Sequence, residues 1–514
     1  MASNRKPKIE FGDFQTPQDL AEEVCAVIAQ SGFSPRSIVE PTCGVGAFLN
    51  AAVNLFPSAT HFLGVDRNAE YVRLARAALN REHDNRTVEI LHSDFFDTNW
   101  SHLIARLPKP ILVLGNPPWV TNATQGAIGG TNLPQKANRD SLRGIDAMTG
   151  KSNFDISEWM IRQNLEWFGN PPGMIAVLCK TAVARKVLSH AWLQHYPIAS
   201  AQIRRINAKR YFGAVVDACL LIIRVQPGVS SQECGDYDSL RSEIPQSVLG
   251  MREGRLVADV QLFERRRELL GRGLSGWRSG IKHDCRGVFE LIPNGPSYKN
   301  DLGVRVDIEE EVVFPLLKSS DLAKHRQPQK CLFVPQRTTT ESPELLQHSA
   351  PKAWNYLLAN STALSNRGSS IYRNRPAFSI FGVGAYSFSS WKVGISGLYK
   401  KLDFVPISPF AGRPVVLDDT CYFFPCNTEE ECLTLERLVQ SDEAHEFWSS
   451  LIFWDAKRPI TAQILNALDL KALACVTNMK HDIVKTLAER QIVPYAQGAS
   501  QLLLFREEAE TYSS

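Results

Sequence analysis

The sequence contains no long apolar run and no secretory signal. None of its apolar stretches approaches the roughly 20 residues that a transmembrane helix needs. The basic start, residues 1–8, lacks the apolar core of a signal peptide. We therefore expect a protein that stays in the cytosol and makes no membrane contact.

Paired cysteines are also missing. The 11 cysteines of the 514-residue chain are scattered without a Cys-x-x-Cys framework, so we expect reduced thiols rather than disulfides. The nearest approach to a cluster is formed by Cys421, Cys426 and Cys432. Their spacing fits no common zinc site and no histidine pattern completes it. We therefore predict no metal site.

A strong excess of charge of one sign is absent as well. Lys and Arg total 57 against 54 Asp and Glu, a formal net charge of +3, so any surface that binds nucleic acid must be local. The composition is 44% hydrophobic and 22% charged. A chain of this length and composition can bury more than one core.

The most informative segment is Asn116-Pro117-Pro118-Trp119, which follows the apolar run Ile111–Gly115. The run predicts a buried parallel strand, and open α/β sheets bind ligands at the carboxyl ends of such strands. The prolines stiffen the turn, so an amide oxygen and a backbone carbonyl can accept both hydrogens of a planar amino group and free its lone pair. The tryptophan offers a face for stacking a base. Taken alone, the tetrapeptide is more typical of an ordinary turn.

A glycine turn lies upstream, directly after a predicted strand at Ser37–Glu40. Gly44 and Gly46 allow the backbone to approach a ligand closely, and the helix that follows points free N–H groups toward it. The loop has neither the third glycine of a dinucleotide-binding fingerprint nor the Lys-Ser/Thr pair of a P-loop. The turn therefore predicts close ligand contact without matching either motif.

Acidic residues follow the next two predicted strands. Asp66 ends one of them, 26 residues after Glu40, where a carboxylate can accept hydrogen bonds from ribose hydroxyls. Asp94 follows the other and can accept from an adenine amino group, while Phe95 can flank the ring. Each aspartate alone is more typical of a helix cap or a turn. Ligand-type residues at four successive strand ends favour one shared site.

These features together resemble the gamma class of amino (N6-adenine) DNA methyltransferases, which are S-adenosylmethionine-dependent enzymes of restriction-modification type. The resemblance covers about residues 11–225. It implies an α/β fold with a Rossmann-like methyltransferase sheet in a catalytic domain, residues 1–237. A mixed α+β target-recognition domain is expected over residues 238–514. The polar stretch with Pro, Gly and Ser at 226–237 marks this boundary.

The resemblance also assigns site residues. Residues 14–17 look like the segment that covers the methionine end of the cofactor, S-adenosyl-L-methionine. Phe212 looks like the aromatic residue that packs on a flipped base, with Tyr211 as a close second. The expected cofactor-binding set is Thr16, Pro17, Glu40, Pro41, Cys43, Gly44, Gly46, Asp66, Arg67, Asp94, Phe95 and Asn116. The expected catalytic set is Asn116, Pro117, Pro118, Trp119 and Phe212.

The expected reaction is in-line methyl transfer to the exocyclic amino nitrogen of an adenine flipped out of double-stranded DNA. Asn116 favours adenine, whereas Trp119 keeps N4-cytosine methylation open, because tryptophan is frequent there in cytosine enzymes. Methylation of RNA or of a protein glutamine also stays open, as does a catalytically degenerate DNA specificity protein. We expect a cytoplasmic location in a prokaryotic cell. Because the chain begins almost at the cofactor motifs, any cognate restriction endonuclease should be a separately encoded protein.

Four other features of the sequence allow weaker predictions. Residues 121–150, rich in Gly, Asn and Thr, are predicted to form a lid over the base. Residues 373–382 and 391–401 place basic residues between aromatic ones; they fit a basic edge strand of any β-rich domain, and beside a methyltransferase half they predict DNA contacts. The arginine-rich segment 261–286 fits an exposed helix face as well as a phosphate contact. Lys180 fits either a residue that reaches the active site or a solvated lysine at a strand end.

Overall fold

A computed structural model of the chain describes residues 15–79, 86–120, 155–168, 172–271 and 276–479. The described chain divides into two compact units, of which the first ends at Val260 and the second begins at Gln261. The lid predicted at residues 121–150 lies outside the described ranges. Of the helices in those ranges, none has the length and apolarity needed to cross a membrane.

The first unit is built on one large sheet. Its strands are β1 (Ser37–Glu40), β2 (His61–Asp66), β3 (Thr87–His92), β4 (Ile111–Gly115), β5 (Gly173–Lys180), β6 (Ile198–Ile206), β7 (Ala218–Val225), β8 (Glu233–Tyr237), β9 (Ser247–Arg252) and β10 (Arg255–Val257). They lie in the order β10-β9-β8-β6-β7-β5-β4-β1-β2-β3. The pairs formed among β1 to β5 are parallel, and β7 runs antiparallel between β5 and β6.

Helices alternate with these strands. They are α1 (Gln18–Gln30), α2 (Ala47–Leu55), α3 (Ala69–Leu79), α4 (Trp100–Ala105), α5 (Ile156–Glu166), α6 (Thr181–Leu193) and α7 (Ala208–Phe212). Such alternation produces a parallel sheet with helices on its faces, and strands covered on both faces are apolar throughout. The apolar strand β4 is accordingly buried along its whole length. The predicted Rossmann-like α/β fold is confirmed.

The strand order reverses at β1. This strand pairs with β2 on one side and with β4 on the other, so that Ile38 lies between Phe62 and Leu112. Doubly wound sheets bind ligands in the crevice at the carboxyl ends of the strands where the order reverses. Because Glu40 ends β1 and Gly115 ends β4, the acidic strand end and the Asn-Pro-Pro-Trp turn border one crevice.

The sheet continues past the boundary expected after residue 237. β8 ends at Tyr237, and β9 and β10 extend the sheet beyond it through successive antiparallel pairs. Leu249 in β9 and Val257 in β10 are buried, so these strands contribute to the core of the first unit. The polar stretch at 226–237 is therefore a turn and a strand within this unit, which extends to Val260.

The second unit contains two smaller sheets. One has the order β11-β20-β17-β18 and the other β14-β13-β12-β16-β15-β19. Their strands are β11 (Arg278–Ser279), β12 (Glu290–Asn294), β13 (Ser297–Asn300), β14 (Arg305–Val306), β15 (Val313–Leu317), β16 (Lys330–Phe333), β17 (Trp391–Ser396), β18 (Val405–Ile407), β19 (Val416–Leu417) and β20 (Cys421–Cys426). Their pairs are antiparallel except for the parallel pair of β15 and β19.

Short helices surround these sheets, which confirms the mixed α+β character predicted for the carboxyl-terminal half. The α-helices are α8 (Val260–Arg265), which begins at the unit boundary, α9 (Arg286–Phe289), α10 (Ser319–Leu322), α11 (Leu346–Ser349), α12 (Pro351–Ala359), α13 (Ser361–Ser365), α14 (Glu429–Val439), α15 (Asp442–Leu451), α16 (Ala462–Leu465) and α17 (Leu470–Val476). Single 3₁₀ turns lie at Arg267–Leu269, Glu310–Val312, Pro343–Leu345, Ser370–Tyr372 and Ala385–Phe388.

Candidate active site

A cavity of about 340 Å³ opens at the crevice between β1 and β4, within the size range of small-molecule sites. The predicted site residues that line it are Thr16, Glu40, Pro41, Cys43, Gly44, Asp66, Arg67, Asp94, Phe95, Asn116 and Pro118. They come from the amino-terminal segment and from the ends of four strands. The fold therefore brings the predicted cofactor motifs and the catalytic motif to one place.

The Asp66 carboxylate is held rigidly beside the glycine turn. The backbone N–H of Gly44 donates to its Oδ2 at 2.9 Å, and the N–H of Asn68 donates to its Oδ1 at 2.8 Å. Gly44 has a φ of +50°, a left-handed conformation that glycine adopts without strain. Each carboxylate oxygen can accept a second hydrogen bond, so Asp66 can still bind hydroxyl groups of a ligand.

Gln15 lies against the same turn. Its Oε1 accepts a hydrogen bond from the N–H of Val45 at 3.3 Å. A Cβ at Gly44 would lie 2.5 Å from that oxygen, so the glycine makes room for the Gln15 side chain. Gln15 lies in the predicted amino-terminal segment but was not among the expected cofactor ligands, because a glutamine before Thr-Pro carries no chemical signal of its own.

Glu40 is a buried carboxyl group among the residues that line the cavity. The residue is 3% exposed, and its Oε2 accepts a hydrogen bond from the N–H of Leu49 at 3.3 Å. Burial raises the pKa of Glu40 well above its usual range, and the nearby negative charge of Asp66 raises it further, while the Leu49 N–H acts in the opposite direction. A cation in the cavity would favour the charged form of Glu40.

Asp94 and Arg67 line the cavity as a neighbouring pair. Their side chains approach to 3.5 Å, and both are partly exposed. The Asp94 Oδ1 also accepts a hydrogen bond from the N–H of Phe96 at 2.9 Å. A carboxylate oxygen held in this way remains available to accept from an amino group on a ligand ring.

Phe95 is fixed by aromatic neighbours. Its ring centroid lies 5.2 Å from Trp100 and 6.5 Å from Trp167, with an interplanar angle of 29° to Trp167. The indole N–H of Trp100 donates to the backbone oxygen of Phe95 at 2.9 Å. These contacts favour one orientation of the Phe95 ring and give the cavity a rigid apolar wall. Trp100 and Trp167 were not expected as supporting residues.

The predicted catalytic motif, residues 116–119, borders the cavity through Asn116 and Pro118. Trp119 lies behind them, is 6% exposed and donates its indole N–H to the backbone oxygen of Leu178 in β5 at 3.3 Å. Its ring is 5.3 Å from that of Phe212, at an interplanar angle of 75°. The structure thus places the two predicted base-stacking residues in direct contact.

Tyr211 is engaged elsewhere, which favours Phe212 over it as the residue next to a target base. The Tyr211 hydroxyl donates to Oε2 of Glu23 in α1 at 3.3 Å. The other oxygen of Glu23 accepts from Nε of Arg241 at 2.8 Å. This network ties Tyr211 to the first helix, whereas Phe212 contacts Trp119.

Some predicted residues do not line the cavity. They are Pro17, Gly46, Pro117, Trp119 and Phe212. Pro17 precedes the first turn of α1, and a Cβ at Gly46 would lie 3.2 Å from the Cβ of Ala75 in α3. Gly46 therefore allows two helices to pack closely, and its assignment as a cofactor ligand stays a prediction.

Residues that were not predicted also line the cavity. Tyr71 in α3 and Met160 in α5 face the cavity, together with Asn68 and Ser93 in the loops after β2 and β3. The sequence offered no motif that would single them out. Lys180 at the end of β5 forms an ion pair of 2.7 Å with Asp155, which also accepts hydrogen bonds from the N–H and hydroxyl of Ser157.

One predicted DNA contact in the second unit is wrong. Lys392 is fully buried in β17, where its ammonium group donates to the backbone oxygen of Ser389. Burial lowers the pKa of Lys392 to about 7. A side chain in this position cannot reach a phosphate. The neighbouring Arg373, Lys400 and Lys401 are exposed.

Known proteins resemble this chain in sequence. The sequence profile of the family described as N-6 DNA Methylase matches residues 2–183. The type II methyltransferase M.NspV of Nostoc sp. (strain ATCC 29411 / PCC 7524) is 42% identical over 477 residues, which cover 92% of this chain and 98% of the relative. The type II methyltransferase M.CvrRI of Paramecium bursaria Chlorella virus XZ-6E is 30% identical over 123 residues, 24% of this chain and 28% of the relative.

A solved structure shares the fold. The type IIL restriction-modification enzyme MmeI, determined in complex with DNA, superposes with a TM-score of 0.54 and 13% identity. The superposition covers 99% of this chain and 77% of MmeI. The identity to M.NspV extends over nearly the full length of both proteins, and the N-6 DNA Methylase profile spans the cavity residues. The chain therefore belongs to the N-6 DNA methylase family, among the type II methyltransferases of restriction-modification systems.

Proposed function

We propose that this protein transfers the methyl group of S-adenosyl-L-methionine to the exocyclic amino nitrogen of an adenine flipped out of double-stranded DNA. The observation that carries the proposal is the placement of Asn116 and Pro118 on the same cavity as Asp66 and Asp94. Asn116, which can accept a hydrogen bond from an amino group, thus borders the same cavity as two carboxylates that can accept from a ribose and an adenine. A methyl donor and an acceptor amine can meet there.

The residues present fit S-adenosyl-L-methionine, the cofactor of this family. The Asp66 carboxylate, held by the backbone at Gly44, would accept from the ribose hydroxyls, and Asp94 beside Phe95 would hold the adenine ring. Glu40 is buried, and within the described residues no nearby cation offsets the cost of its negative charge. It would therefore favour the positively charged sulfonium of the cofactor. When bound, the cofactor supplies a methyl group made electrophilic by a positively charged sulfur.

Asn116 acts on the acceptor amine. Its side-chain oxygen accepts one hydrogen of the amino group, and a backbone carbonyl of the stiff Pro117-Pro118 turn accepts the other. Acceptance of both hydrogens opposes delocalisation of the nitrogen lone pair into the ring and stabilises the developing positive charge. The amine loses its proton after attack, so a strong general base is unnecessary. Placement and electrostatics then supply most of the rate.

Adenine is the favoured base. Asparagine at position 116 is typical of adenine enzymes, and the family profile is that of N-6 methylases. Trp119 favours N4-cytosine methylation as the second candidate, because tryptophan at this position is frequent in cytosine enzymes. The two bases present amino groups of the same geometry, so the product must be identified chemically.

The second unit, which begins at Gln261 within the half expected at residues 238–514, is the proposed target-recognition domain, and the first unit is the proposed catalytic domain. Arg373, Lys400 and Lys401 are exposed cations in this half and suit DNA phosphates. M.NspV is named a type II methyltransferase and MmeI was solved with DNA. We place the protein in the prokaryotic cytoplasm, with any cognate restriction endonuclease as a separate protein.

The test is transfer of a radiolabelled methyl group from the cofactor to unmodified genomic DNA, to total RNA and to a protein extract. Wild-type protein should label DNA, and Asn116→Ala should label none of the three. Label in RNA or in protein would replace the DNA assignment. Absence of label, together with absence of cofactor binding by calorimetry, would indicate a degenerate specificity protein.

A further inference from the structure

An apolar loop tip stands beside the candidate active site. Val215 is 87% exposed, the highest exposure of any large apolar side chain in the described part of the chain, and Val216 next to it is 41% exposed. Both lie in the loop at residues 213–217, which connects α7 to β7. Single exposed apolar residues are common on protein surfaces. Two successive exposed valines in the loop that follows Phe212 suggest a function for this surface.

The loop is held at both ends at the catalytic edge of the sheet. Phe212 at its start contacts Trp119, with ring centroids 5.3 Å apart. At its end, the backbone oxygen of Asp217 accepts a hydrogen bond from the N–H of Thr181 at 3.0 Å, directly after β5. Ala214 packs on the core of the first unit. Val215 is three residues from Phe212, so its Cα lies within about 11 Å of the Phe212 Cα.

Basic residues precede this tip. Lys209 and Arg210 in α7 are exposed, and the Asn207 side chain caps the start of that helix by accepting from the N–H of Arg210 at 3.0 Å. Cations beside an apolar tip match the surface of a duplex, in which phosphates flank the apolar base stack. The same pairing of apolar wedge and positive charge occurs in proteins that insert side chains between base steps.

We infer that Val215, supported by Val216, is a wedge that enters the base stack beside the extruded adenine, while Lys209 and Arg210 hold the adjacent phosphates. The inference rests on the proposed function. Extrusion of a base from a duplex costs a few kcal/mol in lost pairing and stacking. An apolar side chain that fills the vacated step offsets part of this cost. The loop position next to Phe212 and Trp119 lets one segment fill the gap and border the base pocket.

The occupant is therefore DNA rather than another protein. The exposed Lys209 and Arg210 that precede the tip complement a phosphate backbone, and the tip follows Phe212, the residue proposed to stack on the target base. Val215 should consequently affect the flipping step and leave cofactor binding unchanged.

The test compares Val215→Ser and Val215→Ile with wild type and with Val229→Ser. Val229 is an exposed valine, 42% exposed, in the loop that follows β7. That loop lies at the opposite edge of the sheet, because Val225 at the end of β7 pairs with Gly173 at the start of β5. Calorimetry with S-adenosyl-L-methionine establishes that each variant is folded and binds cofactor.

The substrate is a synthetic duplex that carries the site mapped by modified-base sequencing of plasmid DNA treated with wild-type protein. A second duplex places a mismatch opposite the target base, which removes most of the unpairing cost. Val215→Ser should methylate the paired duplex roughly 10-fold more slowly or worse, with a much smaller loss on the mismatched one. Val215→Ile and Val229→Ser should match wild type on both.

Equal rates for Val215→Ser and wild type on the paired duplex would overturn the wedge and leave the proposed function intact. Equal losses on both duplexes would also overturn it, because a structural role does not depend on base pairing. If wild-type protein methylated neither duplex nor plasmid, the proposed function itself would have failed.

Discussion

Trp119 and Phe212 contact each other edge to face, with ring centroids 5.3 Å apart and an interplanar angle of 75°. Carbon atoms in contact lie about 3.5 Å apart, so a base placed between two rings needs about twice that separation. The observed arrangement leaves no such space. A base that stacks on both rings must therefore displace Phe212, since Trp119 is anchored to Leu178 by its indole N–H.

Phe212→Ala should slow methylation of paired DNA by about 10-fold, because stacking of an extruded base contributes about 1–3 kcal/mol. Trp119→Ala should act in the same direction. Both losses should be smaller on a duplex whose target adenine is mismatched, since less unpairing must be offset. Single-turnover methyl transfer on the two duplexes measures this difference, with Tyr211→Phe as a matched control that keeps the ring. Equal losses on both duplexes would assign the two residues to the scaffold.

Asp66→Ala should weaken binding of S-adenosyl-L-methionine by about 1.5–3 kcal/mol, the range for hydrogen bonds to a charged group. The carboxylate also accepts from the N–H groups of Gly44 and Asn68, so the glycine turn should lose order as well. Calorimetry measures the affinity. Glu70→Ala, an exposed carboxylate paired with Arg73 nearby in α3, serves as the control. Unchanged affinity in Asp66→Ala would refute the ribose assignment.

Glu40→Gln removes the ionisable group of Glu40 while keeping a side chain of nearly the same shape, so it tests the effect of the charge alone. The folded-state pKa of Glu40 is raised, chiefly by burial, so the folded free protein should lose stability as pH rises from the ordinary glutamate pKa through the raised value. The amide has no such titration, and the unfolding free energy of the variant should fall less over that range. Denaturant unfolding without cofactor, at several pH values, measures whether the free energy of unfolding falls as pH rises.

Glu40→Gln should also weaken the binding of S-adenosyl-L-methionine by about 10-fold, or 1.4 kcal/mol. The neutral product S-adenosylhomocysteine should lose less affinity, because it lacks the sulfonium charge that a Glu40 carboxylate favours. An equal loss for both ligands would mean that Glu40 acts only through the hydrogen bond to Leu49.

Single alanine substitutions of Arg373, Lys400 and Lys401 should weaken DNA binding similarly for all sequences. Each residue that contacts a phosphate should reduce the slope of log affinity against log salt by about 0.9. Fluorescence anisotropy titrations at several salt concentrations measure the slope. Lys352→Ala is the control, since Lys352 is an exposed lysine of the same unit that lies outside residues 373–382 and 391–401. An unchanged slope in all three variants would remove these residues from the DNA surface.

The strand ends of the site could be predicted from the sequence because two simple rules suffice. Apolar runs predict buried parallel strands, and the carboxyl ends of such strands meet at one edge. Glu40, Asp66, Asp94 and Asn116 follow such runs and do line one cavity. The boundary at 237 was less predictable, because a polar turn within a sheet has the same composition as a linker.

Helical and buried polar residues could not be predicted in this way. Tyr71 and Met160 reach the cavity from helices, where the position of a side chain depends on how each helix packs on the sheet. Lys392 was expected at a DNA surface, yet β17 pairs with both β20 and β18 and is an interior strand of its sheet. A lysine among aromatic residues gives no indication of which sheet face it occupies.

The most direct test of the central claim is the chemical identity of the product. Unmodified plasmid DNA is incubated with the protein and S-adenosyl-L-methionine, digested to nucleosides and analysed by mass spectrometry. Wild-type protein should produce N6-methyladenine, and Asn116→Ala should produce none while its cofactor affinity stays within about 10-fold of wild type. N4-methylcytosine as the product, or no methylated nucleoside from wild-type protein that binds the cofactor, would contradict the account.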